Sequence, residues 1–169
     1  MKRLSIFLFV FIIPYSIFAQ EFNNRKDIRE ARKAKIESTV KKVIESKDFI
    51  FTVRNANPAI GPSITLTSDY DFKITGDSAY SYLPYFGEAY KVEYGSNEGG
   101  IKFENLIYNY RIVFNKKTSY YEIRFEIIEP SDTYRIYMNI SSSGYGNLKI
   151  SCNNRQTINY DGILNKLLE

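Results

Sequence analysis

The sequence predicts a mainly β protein in which one N-terminal α-helix precedes an antiparallel meander that forms a barrel or a curled sandwich. Three features predict this fold class. They are a short apolar leader, a basic segment without Gly or Pro whose apolar residues recur about every 3.6 positions, and an apolar/polar alternation of period two from Phe49 onward. The two periods indicate a helix and half-buried strands respectively.

The first nineteen residues have the features of a secretory signal peptide. Basic residues 2–3 precede an apolar run at 4–13, Pro14 interrupts the run, and the small residue Ala19 stands at the expected cleavage position. We predict cleavage between Ala19 and Gln20 and a periplasmic or secreted product. An uncleaved anchor is the alternative, but a membrane span needs about 20 apolar residues. No integral span is expected after cleavage.

The predicted organisation is a signal peptide at 1–19, an amphipathic helix at 20–48 and a β body at 49–169 that forms a single domain with the helix. Nine Lys/Arg and four Asp/Glu lie between Arg25 and Lys47, so the helix carries the basic charge. We interpret this face as solvated, and we expect no nucleic-acid partner, because a secreted protein rarely meets nucleic acid. The narrow apolar stripe of the helix consists of Ile28, Ala31, Ile36, Val40, Val43 and Ile44, and the last four are predicted to dock on the β body.

Eight alternating runs predict the strands, each about five to eight residues long. They are 49–53, 70–74, 90–94, 101–103, 110–114, 121–127, 134–140 and 148–152. Turn residues separate them, including Gly76-Asp77, Pro130-Ser131-Asp132, Ser143-Gly144-Tyr145-Gly146 and Asp161-Gly162. A shape similar to that of the lipocalins is expected. An outer-membrane barrel is the alternative, but its strands need roughly nine to eleven residues.

The segment 78–90 breaks the alternation, since Pro84 and Gly87 interrupt it and aromatic residues fall on both faces. Here the chain resembles domain-of-unknown-function family 4251 (DUF4251) of secreted Bacteroidota proteins. The resemblance rests on Leu83-Pro84-Tyr85-Phe86-Gly87 with Ala89-Tyr90, Leu66-Thr67-Ser68-Asp69-Tyr70 with Gly76-Asp77, Gly99-Gly100-Ile101-Lys102-Phe103, and Asn154-Arg155-Gln156 with Tyr160-Asp161-Gly162. It implies an exported β-rich protein and no activity.

The candidate ligand-binding residues are the aromatics of this segment and one arginine. Tyr82, Tyr85, Phe86 and Tyr90 are interpreted either as packing around a bulge or as the wall of a ligand mouth at the barrel opening. Arg155 follows the Asn153-Asn154 turn, where it either holds an anion or pairs with an acidic neighbour.

Catalytic and metal chemistry finds little support in the composition. The chain has no histidine, which removes the commonest general base and zinc ligand, and we predict no catalytic residue, metal or cofactor. Asp69, Asp71 and Asp77 resemble a calcium cluster, but alternation places the first two on the outer face of a strand. Cys152, the one cysteine, is predicted to be a core residue.

Three functional hypotheses follow from the predicted fold. The first is a non-enzymatic periplasmic module that binds a small apolar or aromatic ligand at the mouth of the β body. The second is an envelope protein-protein interaction module that uses exposed strands or the basic helix. The third is a histidine-free hydrolase built on carboxylates, for which Glu88 with Glu104 is a candidate pair.

Overall fold

The computed structural model of the chain describes residues 14–90 and 99–166, with side chains from 25 onward. It contains one helix and eight strands. Helix α1 spans Pro14–Ser46, and the strands are β1 Asp48–Pro58, β2 Ile64–Thr75, β3 Ser78–Pro84, β4 Gly100–Asn115, β5 Tyr120–Ile128, β6 Thr133–Ser141, β7 Tyr145–Ser151 and β8 Ile158–Lys166. The predicted signal peptide falls mostly outside the described residues.

The helix is longer at its start than the sequence predicted. It begins at Pro14, a residue that suits the first helical turn, and it continues through the Ala19–Gln20 bond where we predict cleavage. It ends at Ser46, after which Lys47 adopts a positive φ of 53° and turns the chain into β1. In the described part of the chain, no helix combines the length and apolarity that a bilayer span requires.

The chain divides into two compact units between Lys35 and Ile36. In the first unit, the side chains from 25 to 35 are all exposed. The second unit contains the last turns of the helix and the strands. In its helical part the buried side chains are Val40 and Val43, each 7% exposed, and Ile44, which is fully buried.

Of the four residues predicted to dock the helix, Ile36, Val40, Val43 and Ile44, the prediction was wrong for Ile36. Ile28 is 60% exposed and Ile36 is 41% exposed. The reason lies in the spacing, because Val40, Val43 and Ile44 form a compact i, i+3, i+4 cluster, whereas charged residues surround the earlier apolar positions. Apolar burial is thus confined to the last turns.

The β body is a closed antiparallel barrel. Each strand pairs with the next in sequence, and β8 pairs back with β1, which excludes the open sandwich. Six of the eight described strands have 9 to 16 residues and exceed the predicted five to eight, whereas β3 and β7 have 7 residues each. The extra length lies at the strand ends, where pairing continues past the residues that alternate clearly.

The apolar face of the alternation points into the barrel. In β5 the buried residues occur at every second position. The most deeply buried strand side chains include Phe49, Phe51, Phe72, Ile74, Ile123, Ile127, Ile136, Met138, Ile158 and Tyr160. Aromatic rings meet across the interior, with ring centroids 6.0 Å apart for Phe72 and Phe103 and 6.1 Å apart for Phe72 and Phe125. Side chains, and not a ligand space, occupy this part of the interior.

Two predicted turn glycines lie in strands instead. Gly162 is in β8 and Gly146 in β7, and they stand directly opposite each other. A Cβ atom on Gly162 would lie 2.3 Å from the Thr52 carbonyl oxygen, so close packing and not a turn requires glycine here. A strand was also predicted at 90–94. The prediction was wrong at Tyr90, which is not in a strand, and residues 91–94 lie outside the described residues.

Strand β4 changes partner halfway along its length. Gly100 to Leu106 pair with β3, whereas Ile107 to Asn115 pair with β5. A bulge between Tyr108 and Arg111 accompanies the change. Among the described residues, the second half of β4 has a neighbouring strand on one side only.

Candidate functional site

The candidate site lies at the barrel end where β3 ends and β8 begins, which we call the mouth. The connections at 59–63, 129–132 and 152–157 lie at this end, as do the described residues 85–90, which follow β3. Proline ends β3 at Pro84 because it lacks the amide hydrogen that a central strand position donates. The chain that follows does not continue a ladder but crosses to the β7–β8 connection.

This crossing segment, residues 85–90, is held by main-chain hydrogen bonds. The amide of Tyr90 donates to the Asn154 carbonyl at 2.8 Å, and the amide of Gln156 donates to the Glu88 carbonyl at 3.0 Å. An isolated antiparallel bridge pairs Ala89 with Arg155. The segment is therefore a one-bridge extension of the sheet across the mouth. We call it the strap.

The Tyr85 side chain fastens the strap. Its hydroxyl lies 2.9 Å from the Glu88 carbonyl oxygen and 3.1 Å from the Gln156 carbonyl oxygen, and so shares its proton between the two sides. Burial is the main cause that raises the pKa of Tyr85, with a further contribution from Cys152, while the Arg155 charge opposes it. The neutral donor form is therefore maintained at ordinary pH.

Arg155 is a structural residue of the mouth. Its Nη1 donates to the Gly100 carbonyl at 2.9 Å, and its guanidinium lies 5.2 Å from the centre of the Tyr85 ring. Both contacts are internal to the protein. Neither of the two predicted roles, anion holding or pairing with an acidic neighbour, describes these contacts, because a main-chain carbonyl and an aromatic ring take the guanidinium.

Two further residues complete the mouth. Tyr160, fully buried, donates its hydroxyl to the Pro84 carbonyl at 2.7 Å, and burial raises its pKa. Asp132 is 9% exposed, and its carboxylate accepts the amides of Thr133, Asn153 and Asn154 at 2.8 to 3.1 Å. Neither residue was among the five predicted ligand-binding residues.

A groove lies beside the strap on the outer wall of β3. It has a volume of about 260 Å³ and we call it the tyrosine groove. Its walls include Tyr70, Tyr82, Leu83, Pro84, Tyr85 and Lys102. The rings of Tyr70 and Tyr82 stack with centroids 6.2 Å apart and an interplanar angle of 27°, and the Lys102 ammonium lies 4.6 Å from the Tyr82 ring centre. A stacked aromatic wall of this kind suits a small flat ligand.

The structure separates the five predicted residues into different roles. Tyr82 and Tyr85 line the tyrosine groove together, although Tyr82 is 59% exposed on the outer wall and not inside the opening. Phe86 packs against the core, and Tyr90 is 67% exposed outside the groove lining. Arg155 lies beneath the strap. Besides Tyr160 and Asp132, the sequence-based prediction missed Tyr70, whose stacking on Tyr82 depends on the pairing of β2 with β3.

The described residues contain neither a metal-binding cluster nor an activated cysteine thiol. Among them, no group of three or more Cys, Asp or Glu side chains is arranged to hold a metal ion. The prediction that Cys152 is core was wrong, since it is half-buried just beyond the end of β7. Burial, and next the Asp132 carboxylate, raises the pKa of the Cys152 thiol, which disfavours the reactive thiolate.

These features define a small antiparallel barrel with a strapped mouth and an aromatic groove beside it. The chain belongs to the family described as Domain of unknown function (DUF4251), whose model matches residues 31–164. The resemblance drawn from the sequence is thereby confirmed. A comparison with curated proteins gives no match.

A solved structure shows the same fold. The crystal structure of a DUF4251 family protein from Bacteroides eggerthii DSM 20697 matches with a TM-score of 0.62 at 14% sequence identity. The match covers 80% of this chain and 91% of that chain. At this identity the likeness concerns the fold alone, a helix followed by an antiparallel barrel.

Proposed function

We propose that this protein is an exported, non-enzymatic module that binds a small apolar or aromatic ligand in the tyrosine groove. The observation that carries the proposal is the stacked pair Tyr70 and Tyr82, which presents aromatic surface to solvent beside a backbone break. A stacked pair held by β2 and β3 is pre-organised, so a ligand ring can bind without ordering the wall first.

The size of the groove limits the ligand class. A volume of about 260 Å³ lies just below the roughly 300–1,000 Å³ of sites for drug-sized molecules. One or two fused rings fit this volume. Because Tyr82 is 59% exposed, its ring contributes little to the core and remains available for contact with a ligand.

Titration of the exported protein with 2-naphthol, an uncharged fluorophore of two fused rings, tests the proposal. Tyr82→Ala should weaken binding about ten-fold, since one lost aromatic contact is worth about 1–1.5 kcal/mol. Tyr137→Ala is the matched control, because Tyr137 is also exposed on the outer wall but lies on β6, outside the groove. Saturable binding that survives Tyr82→Ala unchanged would contradict the proposal.

Tyr85→Ala is a poorer test of binding because Tyr85 has two roles. Its ring lines the groove, but its hydroxyl also fastens the strap to the Gln156 carbonyl. Loss of binding in that variant would not separate a missing contact from a displaced strap.

Export itself is checked independently by N-terminal sequencing of the secreted fraction. The chain should begin at Gln20, and a retained Met1 would contradict the predicted cleavage.

The open half of β4 favours a second candidate, an envelope interaction module that binds an extended segment of a partner protein. Beyond Leu106, β4 has no β3 partner, and Tyr108 and Val113 expose 42% and 59% of their surface there. An unpaired strand edge is a template for strand addition. Arg111 and the turn lysines at 116–117 are exposed along it and favour a segment with acidic residues.

Site-specific photo-cross-linking in cells tests this second candidate. A photoreactive phenylalanine analogue placed at Val113 should give one discrete adduct, and the same analogue at Tyr137 on β6 should give none. Arg111→Glu should abolish the adduct by charge repulsion with an acidic segment. Equal adducts at both positions would show non-specific contact.

A further inference from the structure

A second groove lies on the outer wall where β1, β8 and β7 run side by side. Its volume is about 460 Å³, and we call it the Arg54 groove. Its lining includes Arg54, Tyr145, Gly146, Asp161, Gly162 and Ile163. None of these residues lines the tyrosine groove, so the two sites are composed of different strands.

Paired glycines form the floor of the Arg54 groove. Gly146 and Gly162 are direct partners across β7 and β8, and both are at inward-facing positions, since they also pair with the buried Ile140 and Val53. Main chain therefore forms the floor between the outward-facing side chains of the two strands. Packing fixes both residues as glycine, since an added Cβ on Gly146 would lie 2.6 Å from the Asn139 carbonyl oxygen. The side walls are apolar, because the outward-facing Tyr145 and Ile163 pair across the same two strands and Tyr145 is 65% exposed.

Arg54 occupies a bulge beside this floor. Against β8, Val53 pairs with Gly162 and Asn55 with the next residue, Asp161, which leaves Arg54 as the extra residue on β1. Against β2 the register also shifts here, but the extra residues lie on β2, at 66–69. Bulges commonly redirect one side chain at a functional position. The guanidinium is exposed and, among the residues that the structure describes, has no hydrogen-bond or ion-pair partner.

Among the described residues, the neighbouring carboxylate of Asp161 forms no ion pair with this guanidinium. Both oxygens of Asp161 accept side-chain amides, Oδ2 from Asn57 at 2.7 Å and Oδ1 from Asn147 at 3.2 Å. These bonds hold Asp161 in place within the wall. The groove therefore combines one unpaired cation, an exposed aromatic ring and an aliphatic side chain over a bare floor.

We propose that the Arg54 groove binds an aromatic carboxylate. The planar guanidinium of Arg54 takes the carboxylate through paired hydrogen bonds, and the ring lies against Tyr145 and Ile163 over the glycine floor. The proposal does not depend on the tyrosine groove. A ligand of one or two rings fills a large part of the volume, which is within the roughly 300–1,000 Å³ of small-molecule sites.

The test compares 2-naphthoate with its uncharged isostere 2-naphthamide, titrated into the ¹⁵N-labelled exported protein. Naphthoate should shift the amide signals of Gly146, Gly162 and Ile163 saturably, and naphthamide should bind about ten-fold more weakly, as expected for a lost charge-assisted hydrogen bond. Arg54→Gln should weaken naphthoate binding about ten-fold and leave naphthamide binding unchanged. Arg54→Lys keeps the positive charge but lacks the planar pair of donors that binds a carboxylate through two hydrogen bonds, so it should give an intermediate affinity.

Arg124→Gln is the matched control, since Arg124 is an exposed arginine on β5 outside both grooves, and it should leave naphthoate binding unchanged. Tyr82→Ala should also have no effect, which separates this site from the tyrosine groove. Equal affinity for the acid and the amide, unchanged binding to Arg54→Gln, or the absence of saturable shifts at the three reporter amides would each overturn the proposal.

Discussion

At the barrel end where α1 runs into β1, apolar side chains close the body, whereas at the mouth hydrogen bonds to the main chain close it. Val40, Val43 and Ile44 are buried at the first end. At the mouth, Tyr160 and Arg155 each donate to a main-chain carbonyl. The stability of the apolar end depends on the surface area that is removed from water, whereas the stability of the mouth depends on individual hydrogen-bond partners.

The largest expected effect is at the apolar end. Ile44→Ala should lower the free energy of unfolding by about 2–5 kcal/mol, because a fully buried aliphatic side chain is replaced by a cavity. Ile36→Ala is the control and should change it by less than about 0.5 kcal/mol, since Ile36 is 41% exposed. Urea denaturation measures both. Similar midpoints for the two variants would mean that the last helical turns do not close the barrel.

A comparable but smaller loss is expected at the mouth from Asp132→Ala. The change leaves the amides of Thr133, Asn153 and Asn154 without their acceptor, and the expected cost is about 2–4 kcal/mol. Asp132→Asn retains one acceptor oxygen and should fall between wild type and Asp132→Ala. Hydrogen exchange at the amides of 153 and 154 should accelerate in Asp132→Ala. Unchanged exchange there would contradict the polar closure.

Sequence reasoning predicted the apolar end better than the mouth, and the reason is physical. The helix, the strands β1, β2 and β4 to β7 and their inward face follow from apolar periodicity, which local sequence carries directly. Strands β3 and β8 fall outside the predicted alternating runs. Ile36 was misassigned because periodicity alone cannot show which apolar positions of a helix are covered by other side chains. Gly146 and Gly162 were misassigned because their requirement comes from a partner strand, not from a turn.

The mouth was predicted in position but not in detail. Pro84 marked the end of β3, and Tyr85 lies at that end of the barrel, whereas Tyr82 is exposed on the outer wall. The bonds of Tyr85 to Gln156 and of Tyr160 to Pro84 span more than 70 positions in sequence, so no local pattern signals them. Asp132 looked like an ordinary turn residue for the same reason.

The smallest effects distinguish the two ends through tyrosine hydroxyls. The Tyr110 hydroxyl, in the half of β4 that extends beyond the β2–β3 turn, is buried and has no hydrogen-bond partner within residues 14–90 and 99–166. The Tyr160 hydroxyl at the mouth, by contrast, donates to the Pro84 carbonyl. Tyr160→Phe should therefore cost about 1–2 kcal/mol, because it leaves a carbonyl unpaired, whereas Tyr110→Phe should cost about 0 kcal/mol at neutral pH. Equal losses in urea denaturation would contradict the distinction.

Alkaline pH provides a second test of Tyr110. Burial raises the pKa of Tyr110 from 10.0 to about 12. Between these values the unfolded chain loses a proton that the folded chain keeps, so the folded state becomes less stable as pH rises. Tyr110→Phe removes this contribution, and its stability relative to wild type should increase from pH 10 to pH 12. A stability difference between variant and wild type that stays constant over that interval would show that the Tyr110 hydroxyl is not buried from solvent in the folded protein.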